Sequence, residues 1–192
     1  MDDTELIQNV LNGNQRDFER LVDKYQSAVF RIAIGLLHNK EDAEEIVQDV
    51  FIKVYRSLSS FDAKAAFSTW LYRVTVNASL NVLSKKKRQK LWVELSDLLQ
   101  LRSKEKQADV QLVEQSDNAF IYQAMNELPA MQRVAFVLSK YEEMPQARVA
   151  EIMQLSTGAV EQLIYRAKNN LQEKLEKKIS ARKIIKANVS NS

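Results

Sequence analysis

Residues 145–175 read PQARVAEIMQLSTGAVEQLIYRAKNNLQEKL, and this stretch predicts two helices joined by a tight turn. Pro145 suits the start of the first helix, because its fixed φ and missing N–H cost nothing there. Ser156 suits the N-cap of the second helix, where its hydroxyl can accept a hydrogen bond from a free N–H. One face of that helix is then apolar and carries Val160, Leu163, Ile164 and Ala167. The arrangement predicts a helix-turn-helix.

The opposite face of the second predicted helix carries side chains that can bind DNA. They are Glu161, Gln162, Tyr165, Arg166 and Lys168. In a major groove, an arginine can pair with guanine and a glutamine with adenine. Thr157 and Lys168 suit phosphates, which position a protein on DNA without specifying sequence. The alternative interpretation of the pattern is a plain helical hairpin with a solvated outer face.

The remainder of the chain is also predicted to be helical. Apolar residues recur at helical spacing from residue 4 to 90 and again from 120 to 175, and no segment alternates with the period of a strand. The sequence therefore predicts an all-α fold of two small helical domains joined by a flexible linker. The expected domains are 1–92 and 118–178, the latter a helix-turn-helix domain, with a linker at 93–117 and a loose basic tail at 179–192.

Charge is distributed in blocks along the chain. The net charge is +3 overall, but it is −6 over residues 1–49, +8 over 50–92, −3 over 93–117 and +4 over 118–192. Two basic blocks held apart by an acidic connector favour two surfaces that face polyanions, although ordinary solvated helix faces are the alternative.

Composition excludes several classes of site. With no cysteine there is no disulfide, cysteine-ligated zinc or thiol nucleophile, and His38, the only histidine, is expected to be a solvent-exposed polar residue. We find no Gly-rich phosphate loop, metal-ligand spacing or nucleophile–base pair, so the protein is not expected to be an enzyme or to bind a cofactor or metal. The acidic start MDDTEL and the lack of a long apolar run predict a cytoplasmic protein.

The first basic block contains the sequence FDAKAAFSTWLYRVTVNASLNVLSKKKRQK at residues 61–90. Helical spacing places Trp70 on the inward stripe, where a core role is the stronger interpretation, and predicts a surface position for Tyr72, Arg73, Val76, Asn77 and Asn81. Aromatic side chains beside a basic track suit single-stranded DNA, because an exposed base can stack on them. Asn77 carries both a donor and an acceptor for the edge of an extruded base.

Four segments in the same order and spacing resemble the extracytoplasmic-function sigma factors, the smallest sigma subunits of bacterial RNA polymerase. They are DAEEIVQDVFIKVYRSL (42–58), FDAKAAFSTWLYRVTVNASLNVLSKKKR (61–88), MNELPAMQRVAFVL (125–138) and STGAVEQLIYRAKNNLQEKL (156–175). The similarity extends from residue 1 to about 178. Gln154 stands where the turn of many relatives has glycine.

The resemblance implies a role for each domain. In the first, Phe61–Phe67 would be the loop that selects a base of the melted −10 element, and Asn77 would line its pocket. The other expected −10 and melting residues are Lys64, Trp70, Tyr72, Arg73, Lys85, Lys86, Lys87 and Arg88. The clamp helices of the large polymerase subunit would bind the surface formed by Glu45, Gln48, Asp49 and Lys53. In the second domain, Thr157, Glu161, Gln162, Tyr165, Arg166 and Lys168 would contact the −35 element.

The implied partners are core RNA polymerase, promoter DNA and an anti-sigma factor that is often membrane-anchored, with no small-molecule substrate. A stand-alone helix-turn-helix regulator is the main alternative, but it leaves the TWLYR and KKKR segments unexplained. A helical adaptor with no DNA role is a second alternative.

Overall fold

The computed structural model describes residues 2–62, 64–99 and 117–189, and all regular structure within these ranges is helical. The helices are α1 (Asp3–Leu11), α2 (Gln15–Leu37), α3 (Lys40–Ser57), α4 (Phe67–Leu99), α5 (Asp117–Asn126), α6 (Ala130–Phe136), α7 (Gln146–Met153) and α8 (Thr157–Val189). A 3₁₀ turn, Leu58–Ser60, follows α3, and a π-helical turn, Val137–Tyr141, follows α6. The predicted all-α class is confirmed.

Short polar residues fix several helix boundaries. The Asn39 side chain accepts a hydrogen bond from the Asp42 N–H at 2.8 Å and so caps α3. Ser156 accepts one from the Ala159 N–H at 3.2 Å and caps α8, as the sequence predicts. Gly13, with φ +98°, reverses the chain between α1 and α2, a conformation that side chains disfavour. Pro145 occupies the N-cap of α7 rather than its first helical position.

The first four helices form one unit around α2. Leu21, Val29, Ile32 and Leu36 of α2 are fully buried against the apolar faces of α3 and α4. Asp17 is a buried carboxylate that accepts hydrogen bonds from Asn9 at 2.7 Å and Asn14 at 3.0 Å and pairs with Arg20 at 2.9 Å. Because buried charges are tolerated only when paired, these bonds stabilise the buried carboxylate, and they connect α1 and the following loop to α2.

The last four helices form the second unit, in which α8 packs against α5, α6 and α7. Val134, Val149, Ile152, Val160 and Ala167 are buried where these helices meet. The two units also contact each other, since α2 packs on the π-helical turn and α4 packs on α7. None of the described helices combines the length and apolar character that crossing a membrane requires.

Two predicted boundaries differ from the structure. Helix α4 continues to Leu99, so the first seven residues of the predicted linker are helical, while residues 100–116 of the linker lie outside the described residues. Helix α8 continues to Val189, so the prediction of a loose tail is wrong for residues 179–189. No glycine or proline follows Gly158, and the tail's Ala, Lys, Arg and Ile residues tolerate a helix.

Candidate nucleic-acid and polymerase-binding surfaces

The C-terminal helix-turn-helix has the predicted geometry. Helix α7 ends at Met153, the chain turns through Gln154–Ser156, and α8 begins at Thr157. Gln154 adopts the left-handed conformation with φ 56°, which glycine adopts with less strain. The Leu155 N–H still reaches the Ala150 carbonyl at 3.0 Å, so the turn remains closed without a glycine.

The outward face of α8 presents the predicted DNA-reading side chains to solvent. Tyr165 is 61% exposed, whereas Val160, Ile164 and Ala167 on the opposite face are buried. The other predicted −35 residues, all exposed, are Thr157, Glu161, Gln162, Arg166 and Lys168. Thr157 lies in the first turn of α8, where free N–H groups can bind a phosphate. The exposed side chains on this face include the hydrogen-bond donors and acceptors that base edges can pair with.

Three aromatic rings pack against one another at the N-terminal end of α4. Phe61 from the preceding loop lies 5.3 Å from the Trp70 ring and 5.8 Å from the Phe67 ring, measured between centroids. Phe67 is buried and also contacts Tyr25 of α2 at 5.6 Å. The inward position predicted for Trp70 is therefore correct, although part of its indole faces solvent. The cluster anchors the loop that was expected to select a base. Lys64 in this loop is exposed and pairs with Asp62 at 2.8 Å.

The predicted surface positions of Tyr72 and Val76 are wrong. Tyr72 is 7% exposed and Val76 is 4% exposed. The Tyr72 ring packs against Tyr25 of α2, and the guanidinium of Arg148 from α7 lies 5.4 Å from its centroid. A single apolar stripe predicts one buried side, but α4 is covered by the first unit on one side and by α7 on another. Burial raises the pKa of the Tyr72 hydroxyl above its usual value.

Arg73, another predicted −10 residue, is half-buried beneath α7. Its guanidinium donates a hydrogen bond to the Glu151 carbonyl at 2.8 Å. Close by, Arg148 donates to the Ser68 hydroxyl at 2.9 Å. Two of the side chains expected to face the −10 element, Tyr72 and Arg73, are thus held against the second unit.

Farther along α4, the predicted surface is open. Asn77 and Asn81 are exposed, as is the whole basic run of Lys85, Lys86, Lys87, Arg88 and Lys90. Within the run, Lys86 forms an ion pair with Asp42 of α3. This part of α4 leaves Asn77 and a basic surface available to a polyanion while the second unit is docked.

The predicted polymerase-binding residues share one surface on α3. Glu45, Gln48, Asp49 and Lys53 are all exposed. Gln48 also lines a groove between α2 and α3, together with Gln26, Ser27, Phe30, Arg31, Glu44 and Val47. The lining combines the apolar side chains of Phe30 and Val47 with polar ones, a mixture that suits contact with a helix of a protein partner.

Sequence reasoning missed the residues that join the two units. The guanidinium of Arg31 in α2 donates hydrogen bonds to the Glu142 carboxylate, from Nη2 at 2.9 Å and from Nε at 3.1 and 3.2 Å. The Glu142 side chain is only 5% exposed, while that of Arg31 is 58% exposed. Arg133, 5% exposed, donates to the Leu36 carbonyl at 3.0 Å and to Asn126. No local pattern signals such pairs, because their members are about 100 residues apart.

A glycine and the histidine complete this contact. A Cβ placed on Gly35 would lie 2.9 Å from a methyl of Val137, so a side chain at residue 35 would force Val137 of the π-helical turn to shift. His38 ends α2 in the left-handed conformation, and its ring nitrogen Nδ1 lies 2.8 Å from the side-chain oxygen of Asn126. The predicted solvent-exposed position of His38 is therefore wrong, since its imidazole is partly covered by the second unit.

The surroundings of His38 disfavour its charged form. Burial is the largest cause that lowers the pKa of the imidazole, and the nearby Arg133 guanidinium acts in the same direction. The hydrogen bond with Asn126 opposes them without cancelling the shift. Docking of the second unit therefore favours the neutral form of the imidazole.

Two segments of the chain match models of one protein family. Residues 21–89 match Sigma-70 region 2, and residues 121–171 match Sigma-70, region 4. The first match contains the α2–α3 groove and most of the basic run, and the second contains the helix-turn-helix. Trp92 and the residues after Leu171 lie outside both matches.

Full-length relatives give the same result. The RNA polymerase sigma-H factor of Pseudomonas aeruginosa is 29% identical over 182 residues, which cover 91% of this chain and 94% of the relative. The ECF RNA polymerase sigma factor SigW of Bacillus subtilis is 31% identical over 176 residues, covering 88% and 94%.

Two solved structures resemble this fold over most of the chain. CnrH in complex with the cytosolic domain of CnrY matches with a TM-score of 0.65 and 25% identity over 91% of this chain and 97% of that one. The sigma factor RpoE of Bartonella quintana, in complex with the anti-sigma factor NepR, matches with a TM-score of 0.61 and 25% identity over 84% and 98%.

Proposed function

The chain belongs to the extracytoplasmic-function sigma factors of the sigma-70 family, and we propose that it binds core RNA polymerase and directs initiation by reading a −10 and a −35 element. The resemblance predicted from the sequence is confirmed. Sigma factors are regulatory proteins, and we assign no catalytic step to this one. Its contribution is positioning: phosphate contacts hold the duplex, and pockets for bases stabilise the separated strand.

One observation carries this proposal: a region 2 segment and a region 4 segment occur in that order in one chain. A stand-alone helix-turn-helix regulator would need only the second segment. That alternative is not favoured, because it gives no role to the region 2 match or to the basic run of α4.

For the −35 element, we propose that the exposed face of α8 enters the major groove. Arg166 and Gln162 are exposed side chains with the donors and acceptors that base edges require. Thr157 and Lys168 would hold phosphates. Glu161 and Tyr165 complete the reading face, Glu161 as an acceptor for cytosine and Tyr165 through packing on a base edge.

For the −10 element, we propose that the Phe61–Phe67 loop and Asn77 select an unpaired base. Asn77 is exposed on α4, and the basic run that follows it would bind the backbone of the melted strand through Lys85, Lys87 and Arg88. Trp70 and Phe61 would support the loop from beneath, as their ring contact indicates.

For the polymerase, we propose that the clamp helices of the large subunit bind the α3 surface formed by Glu45, Gln48, Asp49 and Lys53. The surface is exposed and adjoins the α2–α3 groove through Gln48. Arg31 lines this groove and also holds Glu142. A partner in the groove would therefore compete with the second unit for the same guanidinium.

The docked arrangement hides part of the −10 surface while it leaves the −35 face exposed. Arg73 donates to the α7 backbone and Tyr72 lies beneath Arg148, so neither can reach DNA until the units separate. We propose that the two units part when the protein joins the polymerase and spans both promoter elements.

We also propose that this protein binds an anti-sigma factor, as the relative RpoE does with NepR. Such a partner would stabilise the docked arrangement or cover the α2–α3 groove, and a membrane-anchored inhibitor fits the pattern of the family. Work with RNA polymerase implies a location in the cytoplasm, which we include in the proposal.

Run-off transcription with purified core polymerase tests the proposed function. We expect promoter-dependent transcripts from genomic fragments only when the protein is added, and loss of the signal when Asn77 or Arg166 is replaced by alanine. The absence of transcripts from every fragment of a genomic library, or full activity of both variants, would refute the proposal.

A further inference from the structure

Trp92 is the most exposed large apolar side chain that the structure describes, with 74% of its surface open to solvent. It lies near the end of α4, beyond the family match that ends at residue 89. The other tryptophan, Trp70, packs against Phe61 and Phe67. Packing within the described residues thus covers one indole and not the other, and exposed apolar surface is unfavourable in water.

Trp92 ends a stripe of exposed polar and basic residues along α4. At 100° per residue, positions 77, 81, 85, 88 and 92 fall within about 80° of one another around the helix. The residues at these positions are Asn77, Asn81, Lys85, Arg88 and Trp92, and all five are exposed. Lys86, which pairs with Asp42, points to the other side. We call this set the Asn77–Trp92 stripe.

The charge around the stripe favours a polyanion as its occupant. No aspartate or glutamate occurs between Lys64 and Val93, while the six residues 85–90 include five basic ones. A partner helix is a poorer fit, because the apolar residues Leu91 and Trp92 lie about 100° apart and form no common apolar face. Proteins that bind single-stranded nucleic acid typically combine basic residues, which contact the backbone, with aromatic rings, on which the bases stack.

We propose that Trp92 is a stacking site for an unpaired base of promoter DNA, at the far end of the Asn77–Trp92 stripe. The inference rests on the proposed function and extends its DNA-binding surface. Asn77 and Trp92 are 15 positions apart, or about 22 Å along a helix, a distance that a stacked strand covers in about six nucleotides. Lys85 and Arg88 lie between them and would bind the phosphates. The strand must be unpaired, since the faces of paired bases are covered by their neighbours.

Fluorescence tests the site directly, because the chain has only two tryptophans. In the Trp70→Phe variant, all tryptophan emission comes from Trp92. We expect red-shifted emission without DNA and saturable quenching by a 12-nucleotide single strand, weakened by salt. A 12-base-pair duplex should quench much less. A blue-shifted emission that no DNA alters would show that the indole is covered, and would overturn the proposal, as would equal quenching by strand and duplex.

Affinity provides a second readout in an otherwise native chain. We expect Trp92→Ala to weaken binding of the single strand by about 5-fold or more, the loss expected for one stacked base, and Trp92→Phe to retain most of it. Leu91→Ala is the matched control: Leu91 is also exposed, at 54%, but lies about 100° around the helix from Trp92, and its loss should weaken binding much less. Equal affinities for Trp92→Ala and the parent protein would overturn the proposal.

Run-off transcription with core polymerase separates this inference from the proposed function. If the parent protein initiates transcription and Trp92→Ala initiates from the same promoters with unchanged open-complex stability, the stacking site is refuted and the sigma role stands. If the parent protein fails to initiate from any promoter, the sigma role itself is refuted.

Discussion

A disulfide between positions 35 and 137 should lock the two helical units together. A Cβ at residue 35 would lie 3.9 Å from the Val137 Cβ, within the range of about 3.5–4.5 Å that disulfides require. The chain has no cysteine, so the Gly35→Cys/Val137→Cys variant would contain only the engineered pair. Replacing Val137 also removes the methyl that would otherwise crowd the new Cβ.

The size of the effect follows from the loop that the bond closes. Positions 35 and 137 enclose about 100 residues, for which the chain-entropy model gives up to about 4.7 kcal/mol of stabilisation against unfolding. Urea unfolding of the oxidised and reduced forms measures this difference. More important for function, the oxidised protein cannot separate its two units, and Tyr72 and Arg73 stay covered.

Run-off transcription is the decisive assay for this variant. We expect the oxidised form to be inactive with core polymerase and the same sample to recover activity after treatment with a reductant. Val137→Cys alone is the control and should be active under both conditions. If no disulfide forms, the two units do not pack as described; if the oxidised form initiates at the rate of the reduced form, initiation does not require their separation.

Three further predictions concern single side chains. Because burial lowers the pKa of His38, protonation opposes docking, so the contact should be intact above the ordinary pKa near 6.5 and weaken as the pH falls below it. Energy transfer between dyes on the two units would measure this change, and His38→Asn should remove the pH dependence. Glu142→Ala should shift the same signal toward separation by about 5-fold, since the exposed partner Arg31 limits the pair to about 1 kcal/mol; no shift would show that the pair does not hold the units together. Arg166→Ala should weaken binding of the holoenzyme to −35 duplex by about 5-fold or more, because one bidentate base contact is lost. The control Lys177→Ala, on the same helix but beyond the reading face, should bind normally, and equal losses in an anisotropy titration would contradict the assignment.

Arg31 links two of the surfaces described above. Its guanidinium holds Glu142 of the second unit, and its side chain lines the α2–α3 groove beside Gln48. Binding in the groove and docking of the second unit therefore draw on one side chain. We propose that this shared side chain lets polymerase binding in the groove favour the separated form.

Much of this structure could be predicted from the sequence, because it depends on interactions between neighbouring residues. The outward face of α8, from Glu161 to Lys168, follows from helical period and one capping serine, both properties of neighbouring residues. The order of the family segments can likewise be read from the sequence without knowing how the helices pack. The exposure of Asn77 was predictable for the same reason, because helical periodicity places it outside the apolar stripe of its helix.

Only the tertiary structure decided which of the remaining surfaces are open. Tyr72, on a side of α4 that its own period marks as outward, is buried between Tyr25 of the first unit and Arg148 of the second. His38 is partly covered by residues about 90 positions away, and its pKa is lowered by this burial and by the Arg133 guanidinium, which only the folded chain brings near it. A periodic pattern reports how a helix divides into faces, but the number of faces that are covered depends on contacts between distant parts of the chain, and those arise only when the whole chain has folded.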